Sequence, residues 1–103
     1  MTLNDQIYNQ FRLMLYNRFA YPIEQIQPEI RFQIELAVDS LEMFEIMAEI
    51  EKTFNITINQ DDIDNFIFQP QDIIHIAEIK CLTIQDVVNY IEKQLTARDK
   101  FDN

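Results

Sequence analysis

The sequence predicts an all-helical domain, and three observations carry that reading. Leu3, Ile7, Phe11, Met14, Leu15 and Phe19 step by three and four, the period of an amphipathic helix. Asp39-Ser40 and Thr83 each open a later stretch with the same period. With 48% hydrophobic residues in 103 positions, the chain has enough apolar surface for one small core and little room for a second domain.

The first helix is expected over 3 to 18, capped by Thr2 or Asn4. Tyr21-Pro22 ends it, because the residue before a proline disfavours the α region. Positions 20 to 38 then read as a long connection. Pro22 and Pro28 punctuate it, and Ile23, Ile26, Ile30, Phe32 and Ile34 are available to pin it to the core. The second helix begins at Asp39-Ser40 and runs to Phe54. Asp39 is its N-cap, and Glu42 three residues on completes a capping-box pattern. Asn55 takes the left-handed closing position that glycine usually fills. Ile56 and Ile58 alternate after it.

Between 59 and 82 the pattern is mixed. Asn59-Gln60-Asp61-Asp62 opens a short helix containing Ile63 and Phe66, and Pro70 interrupts it. Another short helix over 71 to 80 would use Ile73, Ile76 and Ile79, while alternation at Ile74 and Ile76 leaves a strand open. The last helix starts at Thr83, with Asp86 three residues on, and buries Ile84, Val87, Val88, Ile91 and Leu95. The domain core spans about 3–95, and the polar tail, 96–103, is expected to fray. The result is a small bundle with a long first connection.

Charge and composition narrow the function classes. Eighteen acidic residues against eight basic ones leave a net charge of −10, which repels nucleic-acid phosphates and favours basic protein partners. The apolar runs are too short to span a membrane, and the first ten residues lack the basic and apolar regions of a secretory signal. One cysteine excludes an internal disulfide. A soluble, cytoplasmic monomer is expected. The absence of glycine excludes the phosphate-cradling loops that need it. Cys81 and His75 lack the paired spacing of a zinc site. Ser40 with His75 is the only nucleophile–base pair, and nothing orients the histidine, so catalysis is not expected.

A helical wheel sorts the second helix into faces. Met43, Ile46, Met47, Ile50 and Phe54 gather within an arc of roughly 100°, the core side. Glu42, Glu45 and Glu49 form a polar stripe with Thr53. Leu41, Phe44 and Ala48 lie on the far side and flank the acids. Either Phe44 and Leu41 pack on the loop at 30 to 34, or they form an apolar patch with an acidic rim that docks onto a basic-edged groove. Ser40 is the only serine. It sits in the opening turn, where unpaired N–H groups and the helix dipole favour an anion. Serine is also an ordinary helix cap, and local geometry by itself favours that role.

The segment Leu36-Ala37-Val38-Asp39-Ser40-Leu41-Glu42 resembles the attachment motif of acyl carrier proteins, in which Asp-Ser-Leu begins the second helix. The likeness continues through Glu45, Ile46, Ile50, Glu51 and Phe54 to Ile56 and Ile58, and resumes over 83 to 91. It implies an all-α four-helix bundle with a long first loop, and a carrier instead of an enzyme. By this resemblance, a phosphopantetheinyl transferase, with Mg²⁺ in the transferase, moves 4′-phosphopantetheine from coenzyme A onto Ser40, flanked by Asp39 and Leu41. The thiol then holds an acyl or related group as a thioester for loading, condensing or transferring enzymes with basic docking patches. The resemblance places Asp39, Leu41, Glu42, Phe44, Glu45, Ala48 and Glu51 at partner-contacting positions. It places Met43, Ile46, Met47, Ile50, Phe54, Ile58 and Val88 around an acyl pocket, for which core packing is the alternative.

Three departures stand out. Ala37 occupies a position where many members have glycine, Lys52 one where an acid is usual, and the stretch 59–82 is longer than the family carries. They point to a dedicated carrier in a specialised lipid, polyketide or peptide-type pathway, or to an unmodified interaction module of the same fold.

The charge excess has a direct physical consequence. Raising salt from low to physiological ionic strength, or adding divalent cations, should raise the melting temperature by screening self-repulsion. A melting temperature indifferent to salt counts against a clustered acidic surface.

Overall fold

The computed structural model describes residues 1–59, 61, 62 and 82–101. Among them are three α-helices, α1 (Leu3–Phe19), α2 (Ser40–Phe54) and α3 (Ile84–Phe101), with one 3-10 turn at Ile23–Gln25. The only sheet-like pairing in the described residues is an isolated antiparallel bridge between Arg31 and Thr83. The fold is therefore all-α. The short helices expected around Ile63, Phe66 and 71 to 80, the strand alternative at Ile74 and Ile76, and His75 and Cys81 lie outside the described residues.

Helix α1 begins with a complete capping box. Thr2 Oγ1 accepts the Asp5 N–H at 3.1 Å, and the Asp5 carboxylate takes the Thr2 N–H at 3.2 Å. Asn4, the other cap candidate, instead reaches α3, donating to Asn89 Oδ1 at 3.0 Å and Glu92 Oε2 at 2.8 Å. Ile7, Phe11, Met14 and Leu15 are buried as the period predicts, while Leu3 is exposed at the frayed edge of the pattern. Helix α3 also has a complete box, with Thr83 Oγ1 accepting from Asp86 N at 3.1 Å and Asp86 Oδ2 from Thr83 N at 3.0 Å.

The long connection is held by backbone and core together. Ile26 and Phe32 are fully buried, and the Phe32 ring meets Phe11 of α1 at 6.2 Å between centroids, tilted by 49°. Burying a phenylalanine this completely is worth about 1.5–3 kcal/mol. Ile34, also expected to pin the loop, is exposed. Polar groups of α1 hold the 3-10 turn: the Tyr8 hydroxyl donates to the Ile26 carbonyl at 2.7 Å, and the Arg12 guanidinium donates to the Ile23 carbonyl at 2.9 and 3.1 Å. At the opening of α3, where helix N–H groups have no intrahelical acceptor, Ile84 N and Gln85 N donate to the carbonyls of Ile30 and Pro28, each at 2.9 Å. The loop thus completes the N-terminus of a helix more than fifty positions away in sequence.

Helix α3 corrects the expected tail. It runs to Phe101 instead of fraying after Thr96. Arg98 explains part of the extension: its guanidinium donates to the Asn55 carbonyl at 2.7 Å and the Phe54 carbonyl at 3.4 Å, at the C-terminal end of α2. A cation there also meets the negative end of the α2 dipole.

Among the described residues, three non-glycine residues adopt left-handed backbone: Ala20, Ala37 and Asn55, with φ of 61°, 54° and 54°. Asn55 closes α2 as expected, its N–H returning to the Glu51 carbonyl. Asparagine tolerates this region; an alanine there costs about 1–2 kcal/mol. Ala37 is exposed, so its methyl has no buried packing to lose. Ala37→Gly should therefore gain up to about 1 kcal/mol and raise the thermal midpoint by a few degrees, read by circular dichroism. An unchanged or lowered midpoint would refute strain at this position.

Candidate functional site

The site is built where the long connection turns into α2. Val38 is buried, and its N–H donates to the Phe32 carbonyl at 2.8 Å. Phe32 N in turn donates to the Leu82 carbonyl at 2.9 Å. The chain is therefore anchored one residue before Asp39. Asp39 is extended (φ −89°, ψ 178°), and its Oδ1 accepts the Glu42 N–H at 2.7 Å while its carbonyl accepts Met43 N at 2.9 Å. Asp39 is thus the cap. Ser40 is the first helical residue, and it is exposed. Of the two roles that the sequence left open for Ser40, capping falls to its neighbour Asp39, and Ser40 itself is an exposed residue.

An anionic phosphodiester fits this position. The serine is unburied, its backbone starts a 15-residue helix, and that end carries the positive pole and N–H groups.

The faces of α2 separate as the wheel predicts. Met43, Ile46, Met47, Ile50 and Phe54 are buried, and Ile58 and Val88 join them in one apolar core, so packing accounts for each pocket candidate. Leu41 is 69% exposed and Phe44 43%, which decides against burial of either under the loop. Asp39, Glu45 and Ala48 are exposed as well.

Two of the predicted contact acids have partners within the fold. The Glu51 carboxylate accepts the Ile58 N–H at 2.8 Å, fixing the chain after α2. The Glu42 carboxylate accepts a hydrogen bond from the Tyr21 hydroxyl. The expected α2 capping box is consequently half made: Asp39 caps, but Glu42 turns to Tyr21. Along the same edge Glu49 meets Arg18 at 3.7 Å, and Arg18, Phe19, Glu45, Ala48 and Glu49 line an open recess between α1 and α2.

Tyr21, Arg18 and Phe19 were not legible as site residues. Tyr21-Pro22 signals only a helix stop, and nothing local indicates that the phenol reaches a carboxylate 21 positions on.

Comparison with known proteins agrees with this geometry. The family described as "Phosphopantetheine attachment site" matches residues 15–67, a span that contains Ser40 and all of α2. The fold and the matched segment define a phosphopantetheine-bearing carrier domain. The chain is 30% identical over 89 residues to an acyl carrier protein of Phytoplasma australiense, covering 86% of this chain and 97% of that protein. It is 28% identical over 97 residues to an acyl carrier protein of Karelsulcia muelleri (strain GWSS), covering 94% and 99%. It is 30% identical over 95 residues to "Acyl carrier protein 3" of Ralstonia nicotianae, covering 92% of each. The chain belongs to the acyl carrier protein family, whose prosthetic group is a covalent 4′-phosphopantetheine. Members of the family are carriers; transferases and acyl-handling enzymes act on them.

The two part-buried, hydrogen-bonded phenols predict an alkaline limit. Partial burial, then the hydrogen bond to Glu42, raises Tyr21 above the ordinary phenol value of 10.0; burial and the bond to Asp62 at 2.6 Å do the same for Tyr90. The unfolded chain releases these protons first. The stabilisation is therefore complete below pH 10 and is lost as pH rises above it. Thermal midpoints measured across that range should fall at the alkaline end, and less so in Tyr21→Phe and Tyr90→Phe. An equal fall in wild type and both variants would contradict the assignment.

Proposed function

We propose that the protein carries acyl or related intermediates as thioesters on a 4′-phosphopantetheine attached to Ser40. The observation that supports this reading is the exposed Ser40 at the first position of α2, beside a cap made by Asp39. The attached group supplies the thiol that holds the cargo. The residues of this chain present it: Asp39 sets the opening turn of α2, and Val38, buried, keeps the tether's base at a constant place on the bundle. In the transferase's active site the Ser40 Oγ would displace adenosine 3′,5′-bisphosphate from the pantetheine-bearing phosphorus of coenzyme A, breaking the pyrophosphate bond and giving its proton to a base of the transferase.

Asp39, Leu41, Phe44, Glu45 and Ala48, exposed around Ser40 and along α2, are the proposed docking surface for this transferase and for loading, condensing or transferring enzymes. Apolar Leu41 and Phe44 beside carboxylates suit a groove with basic edges. Glu42 and Glu51 contribute charge to the same helix while bonded inside the fold. Met43, Ile46, Met47, Ile50, Phe54, Ile58 and Val88 are the proposed lining for an acyl chain that enters between helices, with the flexible methionines yielding first. The protein acts without catalysis of its own, as a cytoplasmic monomer, in a specialised lipid, polyketide or peptide-type pathway. None of the described helices is long and apolar enough to cross a membrane.

Incubation with coenzyme A and a promiscuous phosphopantetheinyl transferase should add one phosphopantetheinyl mass to the wild type and none to Ser40→Ala. A wild type left unmodified under conditions that load a known carrier would overturn the proposal.

A further inference from the structure

Among the described residues four capping side chains, those of Thr2, Asp39, Asn59 and Thr83, are followed three positions later by an acid, and two of these acids, Glu42 and Asp62, accept from a tyrosine hydroxyl. Asp5 returns to Thr2 N at 3.2 Å, and Asp86 returns to Thr83 N at 3.0 Å. At α2 the corresponding acid, Glu42, instead accepts from the hydroxyl of Tyr21. One of the two, Glu42, lies on the helix that begins with Ser40.

The donor is held on every side. Ala20 before it is left-handed at φ 61°, and Pro22 after it is fixed at φ −58°. The Tyr21 ring is half-buried and packs against the core, so its hydroxyl is delivered by a rigid group with only two side-chain torsions. Glu42 remains part-exposed. An ionised carboxylate offers about four acceptor positions, and the tyrosine occupies one. The charge thus stays on the α2 surface, two residues from Ser40, in a set orientation.

We infer that Tyr21 is a positioning residue for partner docking: it holds the Glu42 carboxylate in the pose that receives a basic side chain of the phosphopantetheinyl transferase. The inference rests on the proposal that Ser40 is the attachment site. Its physical basis is preorganisation. A glutamate already immobilised in the free protein loses no further side-chain freedom when a lysine or arginine engages it. The same bond ties the first connection to the opening turn of α2.

Transferase kinetics with coenzyme A test this on the full chain. Tyr21→Phe keeps the ring and the Glu42 charge and removes only the donor; retention of helical circular dichroism at the assay temperature checks its fold. The variant should raise the KM for the carrier by about two- to tenfold with kcat unchanged. Its salt dependence should match the wild type, because no charge is lost. Glu42→Gln removes the charge while leaving an oxygen to accept from Tyr21, so it should raise KM and flatten the salt dependence. The double variant should be no worse than Glu42→Gln alone. A Tyr21→Phe protein with wild-type or lowered KM, or additive losses in the double variant, would overturn the inference while leaving the Ser40 reading intact. Failure of the wild type to load would instead remove the Ser40 reading and this inference with it.

Discussion

The hydrogen bond from Glu42 N to Asp39 Oδ1, at 2.7 Å, is the interaction on which the site depends. It assigns the cap of α2 to the aspartate. Were the serine to cap instead, its oxygen would be directed at backbone N–H groups of the helix and shielded from any incoming enzyme. With the cap made one residue earlier, Ser40 enters the helix at its first position and is exposed. A small shift in helix register would therefore convert a tethering site into an ordinary end-piece.

That register is held from a distance. Val38, just before the cap, is buried and bonded to Phe32, and Phe32 is bonded to Leu82 and its ring packs at a tilt near Phe11. The loop, the opening of α3 and the middle of α1 thus converge behind the start of α2. The far end of α2 is held as well, by Asn55 in left-handed backbone, by Glu51 on Ile58 N and by Arg98 on the last carbonyls. A helix restrained at both ends can present an exposed face without relying on that face for stability. This leaves Leu41 and Phe44 available to a partner, although burying them would be favourable by itself.

The absence of glycine shapes the chain throughout. Left-handed positions remain necessary where α1 ends, where the loop turns before the site and where α2 ends, and two alanines and one asparagine occupy them. Ala37 is the most consequential, since its backbone lies two residues before the cap. A strained but stiff approach to Ser40 exchanges some stability for a smaller range of loop conformations.

Much of this was legible from residue order alone. Helical period placed the buried faces of α1, α2 and α3, and the cap signals at Thr2, Asp39, Thr83 and Asn55 placed their ends, because these are interactions between residues three to five apart. The wheel separated Leu41 and Phe44 from the core side of α2, and the Asp-Ser-Leu context marked Ser40. Tertiary structure alone decided that Glu42 turns to Tyr21 instead of closing its box, and that α3 continues to meet the end of α2 through Arg98. Both depend on groups 21 to 44 positions apart in sequence meeting in space, and no local periodicity encodes such a meeting.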